Sequence, residues 1–248
     1  MIDRFETAVV DGWACWAVSN HDVNRVATRW QVPGGAAANA AWQRQVFMLQ
    51  ACLRGSVCIY QGDELGLTDV QVPFEQLQDP FGITMWPEFK GRDGCRTPMA
   101  WDAALPNAGF SEGASCWLPV ASEHLPLAAA QAAGDPASLL NLYRATLAWR
   151  KSHQVLRVGA LSLLPADDAV LAFVRHGDGG TPLLCVFNLD ASPRSYTLPA
   201  KLAHGQPNPW QVTGDIEAPA SQAGATRQDQ TFTLPPYSAA FASLQQQN

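Results

Sequence analysis

Two acidic side chains stand where the chain could carry out acid–base chemistry. Asp22 and Glu64 each come a few residues after a short apolar run, 13–19 and 56–60. Hydrolysis of a glycosidic bond usually needs two carboxyl groups that flank the bond, a protonated acid and a nucleophile or base. On spacing alone Asp22 and Glu64 are a candidate pair. The structural alternative is that both carboxylates cap strand ends or pair with a nearby arginine such as Arg25.

A strand, a helix and a second strand are expected to position these two carboxylates. The runs 13–19 and 56–60 are short, apolar and followed by polar residues, which predicts strands buried on both faces. Between them, the apolar positions of 36–54 recur at helical spacing, and Gly55 follows as a C-cap. This order predicts a βαβ unit with parallel strands. Sites in such units gather at the C-terminal ends of the strands, where Asp22 and Glu64 stand.

The remainder of the chain divides into an irregular part and a β-rich part. Prolines punctuate 68–136, which is therefore predicted to be a long loop of functional importance, and helical periodicity returns over 138–151. Turn residues then separate short strand candidates at 160–164, 170–175, 183–188, 195–198 and 230–234. This pattern predicts an antiparallel β-sandwich. We expect two domains, 1–154 and 155–248.

Three motifs, in this order and spacing, resemble segments of bacterial α-glucosidases of the α-amylase superfamily (glycoside hydrolase family 13). They are Asn20-His21-Asp22, then 60–67 (YQGDELGL), then 91–102 (GRDGCRTPMAWD). The resemblance covers almost the whole chain but only the second half of the family's architecture. It implies an α/β plus all-β fold: the last two βα units of a (β/α)₈ TIM barrel, followed by a C-terminal antiparallel β-sandwich.

The resemblance also implies a role for three residues of the first two motifs. By that likeness, His21 hydrogen-bonds sugar hydroxyls in the −1 subsite. Asp22 is the third catalytic carboxylate, which is neither nucleophile nor acid and which stabilises the transition state. A carboxylate suits that role because positive charge develops at the anomeric centre during the reaction. The resemblance makes Glu64 part of the scaffold, so the Asp22–Glu64 pair is replaced by Asp22 alone.

The third motif supplies two candidate substrate-binding arginines. The fixed fork of a guanidinium group can bind vicinal sugar hydroxyls and hold a neighbouring carboxylate. Arg92 is the first choice for the −1 subsite and Arg96 the second. The alternative is that both arginines only hold the loop together.

The expected function follows from what the resemblance assigns to these 248 residues and what it does not. The nucleophilic aspartate and the acid/base glutamate belong to the first half of the barrel, which the residues before Trp13 are too few to form. We therefore expect part of a retaining α-glucosidase acting on a small α-glucoside, inactive alone and partnered by the missing N-terminal half of the barrel. The alternatives are an inactive carbohydrate-binding fragment and one half of a split enzyme. A dinucleotide-binding reading fails because no G-x-G-x-x-G follows either strand.

Composition limits the other classes of function. The net charge is −6 without a cluster of Lys and Arg, which argues against nucleic acid as a partner. No apolar run is long enough to span a membrane, and the first residues lack the pattern of a signal peptide, so a cytoplasmic location without membrane partners is expected.

The six cysteines form no C-x-x-C pair and are expected to be reduced. No cofactor is expected, and no metal, because no pair of the isolated histidines has helical metal-ligand spacing. Four of them are expected to be surface or cap residues: His124, His153, His176 and His204.

Overall fold

The computed structural model describes residues 2–9, 12–202, 205–219 and 224–246. Its helices are α1 (Ile2–Ala8), α2 (Val26–Arg29), α3 (Gly35–Cys52), α4 (Pro80–Thr84), α5 (Ala129–Gly134), α6 (Leu139–Ser152) and α7 (Gln154–Val158). Its strands are β1 (Cys15–Ala17), β2 (Ser56–Cys58), β3 (Ala160–Leu163), β4 (Val170–His176), β5 (Leu183–Asn188), β6 (Arg194–Thr197), β7 (Trp210–Glu217), β8 (Thr226–Gln228), β9 (Thr231–Leu234) and β10 (Ala239–Gln246). Of the helices described, none is both long and apolar enough to cross a membrane.

The strand–helix–strand element predicted near the N-terminus is present. β1 and β2 form a two-stranded sheet, α3 connects them, and the amide of Ser56 donates a hydrogen bond to the carbonyl of Ala14 at 2.7 Å. The predicted burial on both faces is wrong, since Cys15 and Ala17 are exposed. Within the described ranges no third strand extends this sheet, so the strands are not enclosed as they would be in a closed barrel.

The C-terminal part is the predicted antiparallel β-sandwich. One sheet has the strand order β3-β4-β5-β10-β7 and the other the order β6-β9-β8. The five predicted strands lie within about two residues of β3, β4, β5, β6 and β9, whereas β7, β8 and β10 were not predicted. The core lies between the two sheets, where Leu184 and Val186 of β5 pack in one apolar cluster with Phe232 and Leu234 of β9.

Helix α3 is tied to the five-stranded sheet by a buried amide. Nε2 of Gln45 donates to the carbonyls of Asn188 and Ser238, at 2.7 and 2.8 Å. Arg175 of β4 is fully buried and donates to the carbonyls of Cys52 and Gly159. Burial lowers the pKa of Arg175 to about 10. The donor groups of both buried side chains bind backbone carbonyls, which offsets the cost of placing them inside the fold.

The chain forms two compact units. The first comprises 1–16, 32–57 and 145–248, and the second comprises 17–31 and 58–144. The domain boundary expected at residue 154 stays a prediction. In the second unit, the segment 68–136 is irregular as predicted but not structureless, because it carries α4, α5 and several short 3₁₀ turns. Small apolar clusters stabilise it, for example the one formed by Val72, Leu77 and Leu118.

Candidate functional site

The structure brings the four predicted site residues together within the second unit. Oδ1 of Asp22 accepts hydrogen bonds from Nη1 of Arg92 at 2.9 Å and from Nη2 of Arg96 at 3.1 Å. Asp22 lies in the turn that follows β1, where its amide donates to the side chain of Asn20 at 2.8 Å. Its side chain is 52% exposed. A half-exposed carboxylate held by two guanidinium groups can still receive a ligand.

His21 completes this cluster. Its Nε2 lies 3.4 Å from Oδ2 of Asp22, and its carbonyl accepts a hydrogen bond from Nε of Arg96 at 2.8 Å. Both arginines thus contact Oδ1 of Asp22, while Oδ2 lies on the side of the exposed histidine ring. The imidazole and Oδ2 together present a donor–acceptor pair to solvent, the kind of group that binds a sugar hydroxyl.

The direction of the Arg92 side chain is set by a buried carboxylate, Asp79. Its Oδ2 accepts from the amide and from Nε of Arg92, both at 2.8 Å, and its Oδ1 accepts from Nη2 at 3.0 Å. Asp79 is 1% exposed. The hydrogen bond from Arg92 holds the pKa of Asp79 well below its usual range. Asp79 therefore stays a carboxylate, paired with the guanidinium group of Arg92, to a lower pH than an ordinary aspartate does.

Asp79 is in turn fixed by the segments on either side of it. It is the N-cap of α4, where its Oδ1 accepts from the amide of Phe81 at 3.2 Å and Pro80 occupies the first turn. Oδ2 of the fully buried Asp93 accepts from the amides of Gln78 and Asp79, at 2.6 and 2.8 Å. Asp79 and Asp93 were not among the predicted site residues.

The first glycine of the third motif, Gly91, is required by the close approach of two backbone segments. Gly91 has φ +74°, a left-handed conformation that favours glycine. A Cβ atom at Gly91 would lie 2.9 Å from Cα of Gly82 and 3.0 Å from Oδ2 of Asp79. The absence of that atom lets the chain turn so that the following residue, Arg92, reaches Asp79 with its amide and its side chain.

A cavity of about 260 Å³ opens beside the cluster. Asp22 and Arg92 line it together with Asn24, Asp69 and Lys90. Asn24 and the backbone amide of Arg25 donate to the carboxylate of Asp69, which fixes this part of the cavity wall. The cluster therefore borders a space in which a small polar ligand can be held by donors and acceptors.

The two structural alternatives considered for Asp22 and Glu64 have different outcomes. The arginine partners of Asp22 are Arg92 and Arg96 rather than Arg25, which is fully buried and donates to the carbonyl of Gln61 at 2.7 Å. Glu64 accepts a hydrogen bond from the amide of Gly62 at 2.9 Å within its own turn. This local contact fits the scaffold role inferred for Glu64, which stays a prediction.

The histidine prediction is wrong at one position. His124 is 1% exposed, and its Nε2 lies 2.9 Å from the carbonyl of Thr68. Burial lowers the pKa of His124. His204 lies outside the described residues. Among the residues that are described, no three His, Cys, Asp or Glu side chains are grouped so that they could hold a metal ion. The six cysteines are all described, and none of them forms a disulfide bond.

Two family models together match most of the chain. The model described as "Alpha amylase, catalytic domain" matches residues 1–159. The model described as "Domain of unknown function (DUF3459)" matches residues 159–241. The candidate cluster falls within the first match.

Individual relatives match the same regions. The chain is 45% identical over 197 residues to a probable alpha-glucosidase of Rhizobium meliloti, which covers 79% of this chain and 35% of that protein. It is 28% identical to an oligo-1,6-glucosidase of Halalkalibacterium halodurans, covering 96% of this chain and 44% of that protein. The solved structure of an alpha-glucosyl transfer enzyme, XgtA, superimposes with a TM-score of 0.83 at 41% identity, covering 98% of this chain and 42% of that chain. The chain thus spans between about a third and a half of the length of these relatives.

Proposed function

The chain belongs to the α-amylase family, and on that premise we propose that it forms the part of a retaining α-glucosidase that carries the third catalytic carboxylate, Asp22. The proposed substrates are small α-linked glucosides. The names of the relatives, a probable alpha-glucosidase and an oligo-1,6-glucosidase, support this class of reaction. Since the chain spans only part of those proteins, the activity is a property we assign to the complete enzyme.

The observation that carries the proposal is the contact of both guanidinium groups with one oxygen of Asp22. Arg92 and Arg96 reach Oδ1 from the same segment of chain, which fixes the plane of the carboxylate. Oδ2 is then directed to the side of His21. A carboxylate held in advance opposite the anomeric centre needs no reorganisation as positive charge develops there, so it lowers the barrier to glycosidic cleavage.

The neighbouring groups suit the recognition of a glucosyl ring. His21 is exposed and lies beside Oδ2 of Asp22, so the two can hydrogen-bond adjacent hydroxyls of one sugar. The guanidinium groups of Arg92 and Arg96 are 30% and 21% exposed and add donors on the other side of the carboxylate. We propose that His21, Arg92 and Arg96 bind the ring that Asp22 acts upon.

We further propose that the 248-residue chain has no hydrolytic activity on its own. Family resemblance assigns none of its residues to the nucleophile or the acid/base, and removal of such a group typically costs several orders of magnitude in rate. Asp22 and Glu64 do not substitute for them, since Asp22 is bound by two arginines and Glu64 by its own turn.

The test compares the chain with a chimera in which the preceding region of the Rhizobium meliloti relative is joined to residue 1. With p-nitrophenyl α-glucoside as substrate, we expect the chimera to be active and the chain alone to stay at background. Turnover by the chain alone that Asp22→Asn abolishes would restore the Asp22–Glu64 pair. A folded chimera without activity towards any α-glucoside would contradict the proposed function.

A further inference from the structure

We propose that Asp79 is a positioning residue: its buried carboxylate aims the guanidinium group of Arg92 at Asp22. This inference takes its significance from the proposed role of Asp22. Its test below needs no turnover, so it can fail or succeed independently of the proposed function.

The hydrogen bonds of Arg92 show how the positioning works. Asp79 occupies three donors of Arg92, the backbone amide, Nε and Nη2, at 2.8, 2.8 and 3.0 Å. A guanidinium group is planar, so a carboxylate that binds Nε and Nη2 fixes where Nη1 points. Nη1 lies 2.9 Å from Oδ1 of Asp22. The orientation of the contact with Asp22 is therefore determined by the carboxylate bound at another edge of the same planar group.

Asp79, which holds Arg92, is more firmly fixed than Asp22, the residue that Arg92 contacts. Asp79 is 1% exposed, and the amide of Asp79 is bound by the fully buried Asp93. Asp22, in contrast, has a half-exposed side chain in a turn. Buried, hydrogen-bonded residues keep their rotamers better than exposed ones. The position of the Arg92 side chain is therefore determined by Asp79, and Asp22 accepts a hydrogen bond from it.

Arg96 reaches the same oxygen of Asp22 with a different support. Its Nε donates to the backbone carbonyl of His21, the residue next to Asp22, at 2.8 Å. A change at Asp79 should therefore alter Arg92 and leave Arg96 in place. This difference gives the test an internal reference.

The competing explanation is that Asp79 serves only as the N-cap of α4. Asparagine is about as good an N-cap as aspartate. Asp79→Asn should therefore keep the cap contact with Phe81 while it removes the charge and one of the acceptor oxygens that bind the side chain of Arg92. If capping is the whole role of Asp79, Arg92 should not respond to this substitution.

The experiment measures ¹⁵N–¹H signals of arginine side chains in the 248-residue protein. Arg92→Lys and Arg96→Lys identify the two signals by their loss. In the unsubstituted protein, we expect slow solvent exchange of the Nε proton of Arg92 and separate Nη signals. In Asp79→Asn, exchange at Arg92 should rise by about tenfold or more and the Nη signals should merge, because charge-assisted hydrogen bonds are lost. The Nε signal of Arg96 should not change.

Two further variants complete the design. Asp22→Asn alters an exposed side chain, so the fold should persist, and Arg92 should stay in slow exchange because Asp79 still binds it. Asp190→Asn removes the carboxylate that pairs with Arg194 in the other unit and should free Arg194 alone. Unchanged Arg92 signals in Asp79→Asn would overturn the proposal. So would release of Arg92 by Asp22→Asn, a result that remains decisive even if Asp79→Asn does not fold.

Discussion

Oδ1 of Asp22 lies 2.9 Å from Nη1 of Arg92, although 70 residues separate the two in sequence. The turn after β1 presents the first residue, and the motif 91–102 presents the second. Two of the three motifs that carry the family resemblance thus meet at this contact.

We expect Asp22→Ala to lower kcat of the active chimera by at least about a hundredfold with little change in the unfolding midpoint. The substitution removes charge stabilisation that exists mainly in the transition state, and the side chain is half-exposed. Steady-state kinetics and urea unfolding measure the two effects. Asp178→Ala, at an exposed turn, is the matched control and should leave kcat unchanged. A near-normal kcat in Asp22→Ala would show that Asp22 is not catalytic.

Arg92→Lys should reduce kcat/KM more than Arg96→Lys does. A lysine at 92 cannot bind both oxygens of Asp79 and also reach Asp22, because its charge sits on a single nitrogen. Arg96 contacts a carbonyl and one carboxylate oxygen, so lysine can keep one of those two bonds. Kinetics of both variants in the chimera provide the comparison. Equal losses would indicate that only the charge at each position matters.

The regular elements could be predicted where side-chain pattern alone determines them. The helix expected at 36–54 is α3 (Gly35–Cys52), and β5 (Leu183–Asn188) begins and ends where its apolar run does. β10 (Ala239–Gln246) was missed although it lies inside the larger sheet, between β5 and β7. Its sequence is rich in alanine and glutamine and lacks β-branched residues, so its conformation comes from pairing with β5 and β7 rather than from propensity.

The candidate site could be predicted only in part for a similar reason. His21, Asp22, Arg92 and Arg96 belong to motifs, and the structure places them in one cluster. Asp79 has the sequence of an ordinary helix N-cap followed by proline, and its second role depends on an arginine that returns to it 13 residues later. The local sequence around Asp79 gives no sign of this tertiary partner.

Glu64→Gln should leave kcat of the chimera within about threefold of the unsubstituted value, a change of less than 1 kcal/mol. One oxygen of Glu64 accepts from the amide of Gly62, and the amide oxygen of glutamine can replace it. A fall in the urea midpoint without a comparable loss of kcat would agree with a scaffold role. Loss of activity as large as that in Asp22→Ala would instead make Glu64 part of the catalytic machinery.

Asp63 should make stability depend on pH in the direction opposite to that of an ion-paired carboxylate. It is 3% exposed, and burial raises its pKa to about 6 against the opposing effects of the Ser19 hydroxyl and of Arg25. The unfolded value is about 3.9. Between about pH 4 and 6 the folded state holds a proton that the unfolded state has lost, so the free energy of unfolding falls as pH rises.

We therefore expect Asp63→Asn to match the unsubstituted protein at pH 4 and to be more stable at pH 7.5, by up to about 3 kcal/mol. An amide mimics the protonated carboxyl and does not ionise. Asp79 does not obscure this window, because its pKa is held low by Arg92 and its stabilising ion pair is lost only as pH falls below about 4. Urea unfolding at pH 4, 5 and 7.5 measures the difference, with the exposed Asp178→Asn as control. A difference between Asp63→Asn and the unsubstituted protein that stays constant from pH 4 to 7.5 would show that Asp63 ionises at its usual pH, whereas a difference that grows through pH 5 would identify the buried carboxyl as its source.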